Sequence, residues 1–190
     1  MNAVIPQDRD PQAETAIERM FRDVSVPLLV DRQKECVSRR PEAHWYTATP
    51  VIAVDGEQVS ENRIHNTAAQ MGCGRALDRL LVMTALKTLR ECPYIRRLMV
   101  RLSVVSSPDS FLAEFAADAF AAQSVDPDRF AIEFPETTNT DCPEVRATLC
   151  RWESERFEVM VRGVALATPI ATMRSREIIG SGFDTRSIVY

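Results

Sequence analysis

Glu133 lies in the stretch RFAIEFPE (residues 129–136), where Phe130, Ile132 and Phe134 alternate with Ala131 and Glu133. That alternation predicts a β-strand buried on at least one face, with a carboxylate near its C-terminal end. Burying an unpaired carboxylate is costly, so Glu133 must be solvated, paired or functional. Such a group can ligate a cation, move a proton, or pair with an arginine. Arg101 and Arg162, each expected on its own strand, are the arginines within reach. Other reactive side chains are sparse. The five cysteines (Cys36, Cys73, Cys92, Cys142, Cys150) show no C-x-x-C spacing. The histidines, His44 and His65, have no acidic neighbour at catalytic spacing. Neither a zinc site nor a disulfide framework is predicted, and no cofactor is expected. Gly72-Cys73-Gly74 reads as a helix stop rather than a dinucleotide loop. Ser181-Gly182 with Asp184 and Arg186 reads as a small anion site or, equally, as a C-terminal turn.

The elements that position Glu133 follow from the periodicity. Asp10-Pro11 is an N-cap with proline at the first helical position, and Ile17, Met20, Phe21 and Val24 recur at helical spacing over about 11–23. This helix reads either as docked on the domain or as a partner-binding face. VPLLV (26–30) and WYTATPVIAV (45–54) are extended segments, the second interrupted by Pro50 and closed by Asp55-Gly56. Helices are predicted over 61–71 and 75–90, then a strand over 98–105. Ser107-Pro108, with Asp109 and Ser110, starts a helix that carries Phe111, Leu112, Phe115, Ala119 and Phe120 as core candidates. The strand RFAIEF, a helix from about Pro143 and a strand over 157–161 complete the pattern. Alternating strands and helices with short polar connections predict βα units around a parallel sheet, with chemistry at the C-terminal strand ends. Beyond Gly163, ALATPIATM reads as a loop entering a helix and TRSIVY as a closing strand.

The chain has 190 residues, 45% hydrophobic and 26% charged, as an ordinary globular protein does. A net charge of −4 argues against nucleic-acid binding. No apolar run approaches a membrane span, and the N-terminus lacks the pattern of a signal peptide, so a cytoplasmic protein is expected. Of 23 basic residues only Lys34 and Lys87 are lysines, and none follows Lys87.

QVSENRIHNTAAQMGCGRALDRLLVMTALKTL, then RLSVVSSPDSF, then DPDRFAIEFPE, in that order and spacing, resemble the EAL domain, the cyclic di-GMP phosphodiesterase family. VPLLVD is similar to that family's first strand. The likeness covers roughly residues 25–163. It implies an α/β fold, an incomplete or modified (β/α)8 barrel of the TIM type, preceded by an N-terminal helical extension over 1–24. It also implies which positions would carry the family's two-metal chemistry. The glutamate of the naming motif falls on Thr47, the asparagine of the "VNLS" strand on Val105, and the glutamate of the "LEITE" strand on Glu133. The Asp-Asp pair falls near Val161 and Arg162, and residues 159–172 contain no acid. The family's later lysine has no counterpart, and its last strands find none either. One carboxylate cannot clamp two divalent ions, and an arginine beside it repels them.

The resemblance therefore implies a catalytically inactive, EAL-like regulatory protein that binds no metal and acts through an unidentified protein partner, as degenerate members do in motility or biofilm control. A homodimer would cover an open barrel edge. The alternative is a receptor that binds cyclic di-GMP without cleaving it.

Overall fold

A computed structural model describes residues 10–24, 26–32 and 45–162. Helix α1 spans Pro11–Asp23, and the Asp10 side chain accepts from the Ala13 backbone N–H at 3.0 Å. Its inner face, Ala13, Ala16, Ile17 and Met20, is buried against the rest of the chain. Arg63 pins it from outside, with Nε 2.7 Å from Asp10 Oδ2. Of the two readings of this helix, the docked one describes it: its apolar face is occupied internally. Val24, assigned to that face, is instead the exposed left-handed C-cap.

The segment 45–54 divides at Val51 into β2 (Tyr46–Pro50) and β3 (Ile52–Val54), following β1 (Leu28–Arg32). Asp55 and Gly56, both with positive φ, turn β3 back onto β4 (Glu57–Val59). That conformation suits a two-residue hairpin connection. Next come α2 (Glu61–Gln70), α3 (Gly74–Glu91), β5 (Leu98–Arg101), α4 (Ser110–Ala122), β6 (Phe130–Phe134), α5 (Pro143–Ser154) and β7 (Glu158–Val161). The main sheet has the order β1-β2-β5-β6-β7. It is parallel from β2 onward, as the βα pattern predicts, whereas β1 runs antiparallel to β2.

Each face of the sheet has its own composition. Leu98 and Val100 of β5, the three large apolar residues of β6 (Phe130, Ile132, Phe134), and Val159 and Val161 of β7 belong to the core beneath α3, α4 and α5. Phe120, Phe130, Trp152 and Phe157 interlock there, with ring centroids 5.1–5.8 Å apart. The alternate residues face the other way. Trp45, Met99 and Ala131 form a small buried cluster with Met160 against it, and Arg101 and Glu133 continue that face toward the strand ends. Together these strands make part of a barrel wall, and the barrel is incomplete among the described residues. The expected elements after Gly163 lie outside them.

Two assignments change for physical reasons. β5 stops at Arg101, not Val105, because its hydrogen-bonding partners change there. Leu102 N–H still donates to Glu133 O at 3.0 Å, but Ser103 N–H is taken by the buried Asp78 carboxylate at 3.0 Å. The chain then coils into a 3₁₀ turn, Val104–Ser106. Phe111, expected in the core, is 69% exposed, while Phe120 is fully buried and Phe115 stacks under Arg79.

The 3₁₀ turn packs closely on the start of α3. A Cβ at Gly74 would come within 2.7 Å of Val105 Cγ2 and 3.6 Å of Ser103 Oγ. A β-branched valine held in a turn moves little, so Gly74→Ala is expected to cost about 1–2 kcal/mol, overpacking outweighing the helix-propensity gain. Thermal melting checks this; an unchanged melt would show that the turn gives way.

Candidate functional site

Parallel pairing sets Arg101 level with Glu133 on the adjacent strands β5 and β6. Arg101 Nε lies 2.7 Å from Glu133 Oε2, and Arg162 Nη2 lies 3.1 Å from the same oxygen. The Glu133 side chain is 8% exposed, against 20% for Arg101 and 36% for Arg162, so the cluster deepens from the barrel mouth toward Glu133. The three residues named from strand alternation thus meet at one place.

A fourth member enters from outside the sheet. Glu61, in the first turn of α2, accepts a hydrogen bond from Arg101 Nη1 through its Oε2. Its Oε1 is buried without a hydrogen-bond partner. Burial pushes the Glu61 carboxyl up to about 7, and the nearby Glu133 adds to the rise while Arg101 opposes it. Nothing in the sequence singled Glu61 out, because an acid just after an N-cap serine reads as helix-dipole compensation.

Behind Arg101 lies a second buried group. Asp78 on α3 accepts from Ser103 N–H and Oγ–H, and burial raises its carboxyl to about 6. His65, one turn after Glu61, has Nδ1 3.8 Å from Asp78 Oδ1 and no hydrogen bond on either nitrogen. Burial, aided by the Arg101 charge, lowers its imidazole to about 4. The acid nearest His65 in this arrangement comes from α3, not from the sequence around His65. The available signal was Asp78 itself, a charge between Leu77 and Leu81 on a buried helix face. The order Ser103–Asp78–His65 places a carboxylate, not an imidazole, on the hydroxyl. Ser103 is buried as well, so the arrangement is not that of a nucleophile with its base.

The remaining expected positions separate. Thr47 of β2 is level with Met99, two residues deeper than Arg101. Val105 lies beyond β5 on the 3₁₀ turn, packed toward α3, and Arg101 instead stands beside Glu133. Val161 is paired with Phe134 and buried in the helix-side core, so β7 presents Met160 and Arg162 to this face.

The pair of divalent ions implied by the resemblance does not fit these residues. Such ions take six or more oxygens, while both carboxylates here already hold guanidinium groups. A unit positive charge 4 Å from a divalent ion repels it by roughly 8 kcal/mol at an effective dielectric of 20. Among the described residues no three His, Cys, Asp or Glu side chains are grouped to hold a metal.

By its fold the chain is part of an EAL-type barrel, as its sequence motifs led one to expect. It is similar to the FimX EAL domain of Xanthomonas citri in complex with c-diGMP: 18% identical, TM-score 0.63, covering 78% of this chain and 60% of that one. The FimX EAL domain of Pseudomonas aeruginosa bound to c-di-GMP is 17% identical, TM-score 0.67, covering 80% and 62%. The Vibrio cholerae LapD S helix-GGDEF-EAL structure, also bound to c-di-GMP, is 12% identical, TM-score 0.64, covering 83% and 39%. The chain therefore spans about three fifths of the FimX domains it matches. No protein-family model and no curated protein matches it. Among the described residues no helix is long and apolar enough to cross a membrane.

Proposed function

We propose that the chain is a non-hydrolysing, EAL-like regulatory domain of c-di-GMP signalling that acts in the cytoplasm by contact with a protein partner. The observation that carries this reading is the Arg101 guanidinium, fixed on β5 and bonded to both Glu61 and Glu133. A metal-dependent phosphodiesterase would need those oxygens for cations. α1 belongs to the same unit as an N-terminal extension. Val104 and Phe111, 41% and 69% exposed at the C-terminal end of β5 and the start of α4, offer apolar area for a contact. A second copy of the chain is one form that the partner can take.

A second reading, a c-di-GMP receptor without turnover, is favoured by the bound nucleotide in the FimX and LapD structures. Calorimetric titration of the purified chain with c-di-GMP in Mg²⁺ or Mn²⁺, with chromatography of the products, separates the two. The expected result is neither heat of binding nor linear dinucleotide. Binding without cleavage would replace the partner-contact reading with the receptor reading, and cleavage would sink both.

A further inference from the structure

The pocket contains two acidic side chains on separate elements, yet both are directed at one positive centre. Arg101 uses different edges of its guanidinium for them: Nε donates to Glu133 Oε2 on β6, and Nη1 donates to Glu61 Oε2 on α2. A planar group with five donors can bridge two acids in this way, whereas a lysine ammonium is a single point. Arg162 reaches Glu133 alone among these acids and does not substitute as a bridge. Glu61 Oε1 remains buried and without a hydrogen bond, an unused ligand atom beside the cluster.

We propose that Arg101 is the resident cation of this pocket, drawing Glu61 and Glu133 onto one centre and thereby excluding divalent metal from the barrel mouth. The proposal rests on the non-hydrolysing reading and adds what maintains it: an internal counter-ion, with Glu61 recruited from α2 as its second ligand. Removing the Arg101 guanidinium frees both oxygens of Glu61 and leaves Glu133 only its bond to the more exposed Arg162. That set attracts a hard divalent cation, which binds carboxylate oxygens and tolerates irregular geometry.

The experiment uses the full chain without nucleotide, melted in EDTA and in millimolar Mn²⁺. The wild-type melting temperature is expected to be the same in both. Arg101→Ala is expected to melt lower in EDTA and to regain roughly 5 °C in Mn²⁺, a gain typical of a ligand well above its dissociation constant. Adding Glu61→Gln should abolish that gain. A wild-type chain stabilised by Mn²⁺, or a folded Arg101→Ala indifferent to it, overturns the proposal. Should Arg101→Ala not fold, Arg101→Lys decides: its retained charge predicts no response to Mn²⁺, and a response overturns the proposal. Failure here leaves the non-hydrolysing reading intact, because that reading falls only to cleavage of c-di-GMP by the wild type.

Discussion

Glu133→Ala is expected to lower the unfolding free energy by about 2–3 kcal/mol, one of the largest single losses available at this site. The substitution leaves Arg101 with one carboxylate instead of two and Arg162 without its bond to Glu133. It also leaves a gap beside Ala131 and Met99 in the small barrel-side cluster. Breaking a fully buried pair costs about 3–5 kcal/mol. The figure here is smaller because Arg101 keeps Glu61 and Arg162 is already 36% exposed. Glu133→Gln keeps one acceptor oxygen, which can serve both guanidiniums as Oε2 does now, and should lose roughly half as much, about 1–1.5 kcal/mol. Urea unfolding measures both: the midpoint moves while the slope is retained, since the surface exposed on unfolding is unchanged. If the Glu133→Ala midpoint coincided with wild type, the ion cluster would be a solvated contact, and its claim to organise the pocket would fail.

What the sequence conveys about this fold depends on the range of the interactions involved. β6 was legible because Phe130, Ile132 and Phe134 carry a strict period of two. Once neighbouring strands pair in parallel, the same alternation puts Arg101 level with Glu133. The C-terminal limit of β5 was not legible. LMVRLSVV reads as one continuous strand, and what ends it is a carboxylate 25 residues earlier in the chain capturing the Ser103 N–H. Glu61 was illegible for the same reason: its partner Arg101 is 40 residues away, and locally it is an ordinary first-turn acid. Phe111 shows the opposite failure. Its helical spacing matches the core residues of α4, but it precedes Leu112 at the first turn and turns outward, as hydrophobicity alone could not reveal. The FimX domains found by fold share under a fifth of their residues with this chain, so the likeness to them is one of fold.

The pH dependence of stability gives a separate view of that cluster, with opposing contributions. Glu61 is raised from 4.5 to about 7 in the folded chain, so between those values the folded state holds a proton that the unfolded state has released. Its contribution is present below about pH 4.5 and is lost as pH rises through 7. Asp78, raised from 3.8 to about 6, acts in the same direction between roughly pH 4 and 6. His65, lowered from 6.5 to about 4, acts oppositely: its contribution is present above 6.5 and is lost as pH falls toward 4. Two carboxyls against one imidazole leave a net fall in stability from pH 5 to 7. From pH 7 to 8 Glu61 remains the larger contribution, partly offset by the end of the His65 titration in the unfolded chain. Glu61→Gln removes that titration, so its stability relative to wild type should improve from pH 5 to 8, mostly below pH 7, by about 2 kcal/mol in all. Arg101, Glu133, Arg162 and Asp78 remain in both proteins and cancel to first order. Paired urea titrations across that range decide the matter. A difference between the two proteins that stays flat, or that grows in favour of wild type with rising pH, would mean that Glu61 is held charged by Arg101 throughout.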